Sequence, residues 1–394
     1  MYIGIAGPIM IDPLRPYLDS QFHAPRPLPA GLGGTPVLNL VREFLTRSRK
    51  VTVFTLDPAI KDEIVLTGPQ LKICIGPYRP KHRARDLFAV EREYLQSAIR
   101  REKPDVVHAH WIYEFALAAL ASGTPTLVTA HDAPLRTLRL NPSPYRFIRT
   151  FMGWQTLRRT SYLTAVSDFV AEHLRDVFRY KGHLEVVPNT IPSQVFDTGG
   201  RRVGRARAAI TFAANLSGWG KIKNCTVALQ AFQTVRKSIP DARLLLFGAG
   251  HGAGGPAEQW AAARGLTAGV EFAGEVAYAA LLQRLATEVD VLVHPARAEA
   301  LSMAVAEAMA IGLPVIAGAT TGGMSYLLEG GRAGVLVNIT SPAEVAEAML
   351  CLAQDSGLRR RIGQLAHQSV LERFNASNVI TRYLAAYERL LASA

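Results

Sequence analysis

Along this chain, short runs of aliphatic and β-branched residues alternate with longer stretches whose apolar positions return every three to four residues. The short runs fall at 2–6, 51–55, 105–109, 126–130, 162–166 and 184–187, then at 209–213, 243–247, 270–272, 291–294 and 314–316. Helical patterns lie between them at 35–47, 89–101, 226–237, 278–286 and 343–353. A strand that is apolar on both faces belongs to a parallel sheet with helices packed on each side. The pattern predicts an α/β protein of two doubly wound, Rossmann-like domains facing across a cleft. The join is expected at 188–192 and the polar, Gly- and Arg-rich stretch 198–207, giving domains 1–190 and 191–375. A final helical segment, 376–394 with its pattern clearest at 378–391, follows the last α/β unit.

Open α/β sheets meet their ligands at the carboxyl ends of strands, so polar residues at those ends are the candidates. The richest stretch is 299–312, E-A-L-S-M-A-V-A-E-A-M-A-I-G. Glu299 precedes a helix expected to begin at Ser302 or Met303, and Glu307 lies about one turn inside it. The first N–H groups of a helix lack intrahelical partners and carry the positive end of its dipole. Leu301, Ser302 and Met303 therefore stand where a phosphate can be held. Glu307 can accept from a ribose diol, and Glu299 from sugar hydroxyls on the far side of the phosphates. A diphosphate between two hydroxyl-bearing rings, as in a nucleotide-sugar, matches this layout. The competing reading is a surface loop and a surface-facing glutamate. The neighbours Met309, Ala310 and Ile311 argue instead for a closely packed helix.

Other strand ends add candidates. Asn215, Lys221 and Lys223 follow the first strand of the second half, where a lysine can neutralise a diphosphate or simply be solvated. Gly33 and Gly34 precede a helical pattern and let the backbone approach a phosphate. His131 and Asp132 close the run at 126–130. His131 can hydrogen-bond a sugar hydroxyl or stabilise developing charge, with Asp132 orienting either the loop or His131. His108 and His110, two apart on a strand, share a face. His108 reads as a core histidine, and His110 has no assigned role.

The 394 residues are about half hydrophobic and a fifth charged, a globular composition. The net charge is +12, mostly from residues 1–190, where 25 basic residues face 17 acidic ones. No nucleic-acid-binding signature accompanies this excess. Six arginines between 136 and 159 are interleaved with Tyr145, Phe147, Phe151 and Trp154. Such a segment can rest on an anionic membrane, or be a solvated helix with its aromatics turned inward. Three scattered cysteines show neither metal-ligand spacing nor a disulfide framework, which fits a reducing cytoplasm. Residues 2–6 read as a strand, not a leader, and no apolar run approaches the roughly 20 residues that span a bilayer. The expectation is a cytoplasmic protein, with peripheral contact at the inner face of the membrane as an extension.

Taken together, Gly31-Leu32-Gly33-Gly34, His108-Ala109-His110, His131-Asp132, Ala165-Val166-Ser167, Val187-Pro188-Asn189, Lys223-Asn224 and Glu299 with Glu307 around an Glu-Ala-Met-Ala core resemble a family 4 glycosyltransferase of the GT-B fold. The resemblance spans nearly the whole chain. It implies retaining transfer of a sugar from a nucleotide donor, UDP-linked more often than GDP-linked, to a glycan, lipid-linked or small-molecule acceptor. It implies neither metal nor cofactor, and the chain has no Asp-x-Asp. By resemblance the first domain takes the acceptor and the second the donor. Glu299 faces the donor sugar, Glu307 the ribose, and Lys223 the diphosphate. Gly33 and Gly34 close over the reacting phosphate region, His131 contacts the sugar near the reacting centre, and the last helix crosses back onto the first domain.

The chain departs from the family pattern where it touches the donor. Ala214-Asn215 stands where Gly-Arg is frequent, so one phosphate-binding arginine is missing, and the following loop is longer and adds Lys221. Tyr326 occupies the place of a glutamate, and Ala300-Leu301-Ser302 that of Gly-Phe-Gly. Two other activities use the same pocket: a nucleotide-sugar epimerase of similar architecture, and a non-catalytic nucleotide-sugar-binding protein.

Overall fold

The computed structural model describes residues 1–19, 28–199 and 209–393. It contains two compact units, Met1–Thr190 with Ala376–Ala394, and Ile191–Asn375. Residues 200–207 of the expected joining stretch lie outside the described residues.

The first unit is built on an eight-stranded sheet of order β3-β4-β2-β1-β5-β6-β7-β8. Its strands are β1 (Ile3–Ala6), β2 (Val51–Asp57), β3 (Ile64–Thr67), β4 (Leu71–Pro77), β5 (Val106–His110), β6 (Thr126–Ala130), β7 (Tyr162–Ala165) and β8 (His183–Val186). All neighbours pair in parallel except β3 and β4, an antiparallel edge hairpin. Strands β2, β5 and β6 are buried at every position, which is why they read as continuous apolar runs. The last helix, Ala376–Ala392, belongs to this unit. It adds Val379, Ile380, Tyr383 and Tyr387 to the core that holds Ile3, Phe44 and Val106. The Tyr387 hydroxyl lies 2.8 Å from His108 Nδ1, and Arg382 and Arg389 both pair with Glu185, at 2.9 and 2.8 Å.

The second unit is a six-stranded, all-parallel sheet of order β11-β10-β9-β12-β13-β14. Its strands are β9 (Thr211–Asn215), β10 (Arg243–Phe247), β11 (Val270–Gly274), β12 (Val291–His294), β13 (Val315–Gly318) and β14 (Val335–Val337). The strand expected at 209–213 begins two residues later, at Thr211. Asp290 accepts from the Thr211 N–H at 2.9 Å, and the small, buried Ala213 and Ala214 pair with Leu245 and Leu246 inside the sheet. Asn215 therefore closes the strand instead of standing in the loop beyond it.

In each sheet the chain order reverses once, between β1 and β5 and between β9 and β12. Loops diverge at such a point and leave a crevice at the strand ends. The segments after β1, β5 and β6 carry Gly7, Trp111 and His131, and those after β9 and β12 carry Lys223 and Glu299.

Candidate functional site

In the second unit the site grows from the helix Met303–Ile311, which joins β12 to β13. Ser302 is its N-cap, with its hydroxyl accepting from the Val305 N–H at 3.4 Å, and Gly312 ends it in the left-handed conformation. A hydroxyl at this position satisfies one of the orphan donors of the first turn. The N–H groups of Met303 and Ala304 are left at the open, positive end. Residues Val305 to Ile311 are buried, so the helix runs through the core and not over the surface.

Glu299 stands just before this helix. Its backbone carbonyl accepts from the Gly323 N–H at 2.9 Å, which ties the Thr320-Thr321-Gly322-Gly323 loop to it. Its carboxylate Oε1 accepts from Lys223 Nζ at 2.7 Å and lies 3.4 Å from His294 Nε2. Burial alone raises such a carboxyl, but His294 and Lys223 outweigh it and hold Glu299 at about 2. Glu299 is ionised at every physiological pH.

Lys223 is delivered by Asn224. That residue adopts the left-handed conformation, with φ of 55°, at the start of the helix Cys225–Ser238. Asparagine tolerates this region better than most side chains. Its buried amide donates to the Pro295 carbonyl at 3.0 Å and to the Ile339 carbonyl at 2.9 Å. The Arg297 N–H donates to the Ile222 carbonyl at 2.8 Å. The lysine loop is thus pinned to the segment that leads into Glu299. Lys221 in the same loop is exposed, Asn215 at the end of β9 is half-buried, and Leu301, two residues before the helix Met303–Ile311, is buried.

Glu307, one turn into the helix, is 4% exposed and accepts from the Tyr278 hydroxyl at 2.8 Å. Burial pushes its carboxyl up to about 7, against which the Tyr278 hydrogen bond acts only in part. The two glutamates flanking one helix start are therefore in opposite electrostatic states. One is a fixed anion, and the other is balanced between its neutral and charged forms near neutral pH.

The first unit places the remaining candidates at its own strand ends. Gly34 caps the helix Thr35–Thr46 with φ of 85°, and a Cβ there would lie 2.0 Å from the Pro8 carbonyl oxygen. Gly33 has φ of 81°, yet a Cβ there would meet nothing within 4 Å. Gly34 is required by packing, whereas Gly33 faces open space. The loop is held by Asp57, which accepts from the Gly31 N–H at 2.6 Å.

His131 follows β6 and stacks on Trp111, with ring centroids 4.2 Å apart. Its Nε2 lies 2.9 Å from His110 Nδ1. Trp111 itself has φ of 63°, uncommon for a bulky residue, directly after β5. Burial lowers His131 to about 3 and His110 well below its ordinary value, so both rings are neutral. His108 bonds Tyr387 and Thr129 inside the core, the structural role expected of it. Asp132 contacts the Tyr113 hydroxyl through both oxygens, at 2.9 and 2.8 Å. It thus anchors Tyr113, and His110 is the side chain bonded to His131.

The structure brings together Lys223, Glu299, Ser302, Met303 and Glu307 in one unit, and Gly33, Gly34 and His131 in loops of the other. Sequence reasoning missed His294, Tyr278 and Trp111. His294 ends β12, the position where a polar residue earns attention in this architecture. Tyr278 opens a helix 29 residues from Glu307, and nothing local signals their contact. Among the described residues no group of three or more His, Cys, Asp or Glu side chains is placed to hold a metal ion.

Two family models match the chain: Glycosyltransferase Family 4 over residues 33–195, and Glycosyl transferases group 1 over residues 207–355. The chain is 23% identical over 305 residues to N-acetyl-alpha-D-glucosaminyl L-malate synthase of Bacillus anthracis, covering 74% of this chain and 76% of that one. Among solved structures, sucrose-phosphate synthase from Thermosynechococcus elongatus superposes with a TM-score of 0.77 at 17% identity, over 100% of both chains. HepE from Anabaena in complex with UDP-glucose gives 0.67 at 17% identity, again over 100% of both. The fold is that of the GT-B glycosyltransferases. With family models matching 33–195 and 207–355, one on each of its two sheets, this chain belongs to glycosyltransferase family 4.

Proposed function

We propose that this glycosyltransferase moves a hexosyl unit from a UDP-sugar to a hydroxyl of a glycan, lipid-linked or small-molecule acceptor. The anomeric configuration is retained and no metal ion takes part. The observation that carries the reading is the ionised Glu299 paired with Lys223 on one side of an open helix start, with Glu307 on the other. In this reading the diphosphate lies on the N–H groups of Met303 and Ala304. The ribose diol donates to Glu307, and the sugar hydroxyls donate to Glu299. UDP is favoured because HepE, of the same fold, was solved with UDP-glucose. A GDP-sugar is the competing donor.

Lys223 neutralises charge on the departing diphosphate, as a point charge for which no hydrogen-bond geometry is demanded. It exchanges Glu299 for phosphate when the donor enters. Glu299 is a poor candidate nucleophile, since a carboxylate held at about 2 by two partners has little tendency to form a covalent bond. The reading therefore uses front-face substitution. The bond from anomeric carbon to phosphate oxygen breaks, the acceptor oxygen bonds to that carbon on the same face, and the acceptor proton passes to the leaving phosphate. His131, being neutral, serves as a hydrogen-bonding partner for a hydroxyl and not as a cation.

Calorimetry with a panel of UDP- and GDP-sugars identifies the donor. Incubation with candidate acceptors and NMR of the product anomer then tests transfer with retention, with chelator present and absent. An inverted product, or activity lost to chelator and restored by metal, would remove the mechanism. An isomerised donor would make the protein an epimerase, and tight binding without product a binding protein.

A further inference from the structure

Helix Pro144–Leu157 of the first unit shows two chemically distinct faces. Met152, Gly153, Thr156 and Leu157 are buried against the unit. Arg149 turns inward with them, paired with Glu114 and lying 3.7 Å over the Tyr113 ring. The opposite face is aromatic. Phe147, Phe151 and Trp154 follow one another at intervals of four and three, the spacing of a single helical stripe. They are 65%, 40% and 43% exposed, and Phe151 stacks on Trp154 with ring centroids 5.8 Å apart. Leu140, 45% exposed, ends the preceding helix. Isolated exposed apolar residues are unremarkable, but three aromatics in line on one solvent-facing stripe are a patch.

The segment that carries this stripe has charge of one sign. Residues 133–167 contain six arginines and no aspartate or glutamate. Arg139, Arg158 and Arg159 are exposed, and the Arg158 guanidinium lies 5.3 Å over the Trp154 ring. Aromatic side chains beside arginines match the boundary of an anionic bilayer, where rings enter the headgroup layer and guanidinium groups meet phosphates. We propose that the exposed aromatic stripe and its arginines form a docking surface for an anionic lipid membrane. An apolar protein partner has no need of a rim of uniform charge, and an acidic partner none of a continuous aromatic row. The surface is independent of the donor chemistry, and its occupancy is read without any nucleotide-sugar.

The test is co-sedimentation with phosphatidylcholine vesicles, alone and doped with phosphatidylglycerol. The full chain should sediment with the anionic vesicles and not the neutral ones, and added salt should release it. Trp154 emission should shift to the blue on binding, a change absent in W154F. Substituting Phe147, Phe151 and Trp154 together with serine, or Arg158 and Arg159 together with glutamate, should each lower the partition coefficient about tenfold or more. All five positions are exposed, and unchanged melting confirms that each variant is folded. Equal binding to neutral vesicles, no binding to anionic ones, or variants that bind like the parent would overturn the proposal. So would a dimer in gel filtration that the serine variant alone converts to monomer, since the stripe would then be covered by a second copy.

Discussion

Glu307→Gln separates what the fold prefers from what the ligand requires. Burial raises Glu307 from its ordinary 4.5 to about 7. A carboxyl whose folded pKa exceeds its unfolded value binds its proton more tightly in the folded protein. Below the unfolded pKa both states are protonated and the group is neutral to stability. As pH rises from about 4.5 to about 7 the unfolded state ionises first, and stability is lost. Above about 7 the loss is complete, and at ~1.4 kcal/mol for each unit it amounts to about 3 kcal/mol. Glutamine has no such cost. It keeps the shape, and its amide oxygen still accepts from Tyr278. The variant should therefore gain about 2.5 kcal/mol on the parent between about pH 5 and about pH 8, seen as an extra ~5–10 °C of melting temperature for the second unit. Melting of both proteins by calorimetry at the two pH values reads this gain. Nucleotide affinity should move the other way. In the proposed binding mode two ribose hydroxyls donate to the Glu307 carboxylate, so binding should favour the ionised form and parent affinity should rise with pH through about 7. The variant should bind UDP about 10- to 100-fold more weakly at about pH 8, without that rise. A melting difference that is the same at both pH values would refute the buried-carboxyl account, and unimpaired UDP binding would remove Glu307 from the ribose.

Three further outcomes are expected. Lys223→Ala should lower kcat about 10²- to 10³-fold in the transfer assay, because in the proposed mechanism the departing diphosphate loses its cation; unchanged turnover would exclude Lys223 from that role. Gly34→Ala should destabilise the first unit by about 2–4 kcal/mol, since its methyl would meet the Pro8 carbonyl at 2.0 Å, whereas Gly33→Ala should cost only ~1–2 kcal/mol of backbone strain. Equal melting of the two variants would contradict the packing difference. A chain ended at Asn375 should lose the cooperative melting of its first unit, because Tyr383 and Tyr387 leave the core; retention of that transition would show the last helix to be dispensable.

The sequence made the parallel strands visible because burial on both faces writes them as unbroken apolar runs, β2 and β6 being the clearest. The hairpin of β3 and β4 escaped because the edge strand β3 is only four residues long and β4 carries Lys72, Gly76 and Pro77, which break its run. Helix Glu114–Ser122 escaped for the opposite reason: nearly every residue of its first two turns is buried, so it has no polar face to set a period. The start of the helix at Met303 was readable from Ser302, because capping is local chemistry. The state of Glu299 was not, since Lys223 lies 76 residues away and His294 ends a separate strand. Charge states at this site are set by contacts that folding creates, and local pattern carries no trace of them.

The first unit is completed by residues that lie beyond the whole of the second. Its sheet is finished by Thr190, yet Val379, Ile380, Tyr383 and Tyr387 reach its core only after Ile191–Asn375 has been synthesised. During translation, at roughly 5–20 residues per second, the nascent first unit must wait about 10–40 s for its closing helix. The second unit has all its strands and helices in one continuous stretch, so it can mature first even though it emerges later. A chain interrupted after residue 375 and released would therefore carry a complete second unit beside an unfinished first unit with part of its core exposed, the stage at which this polypeptide most needs a chaperone.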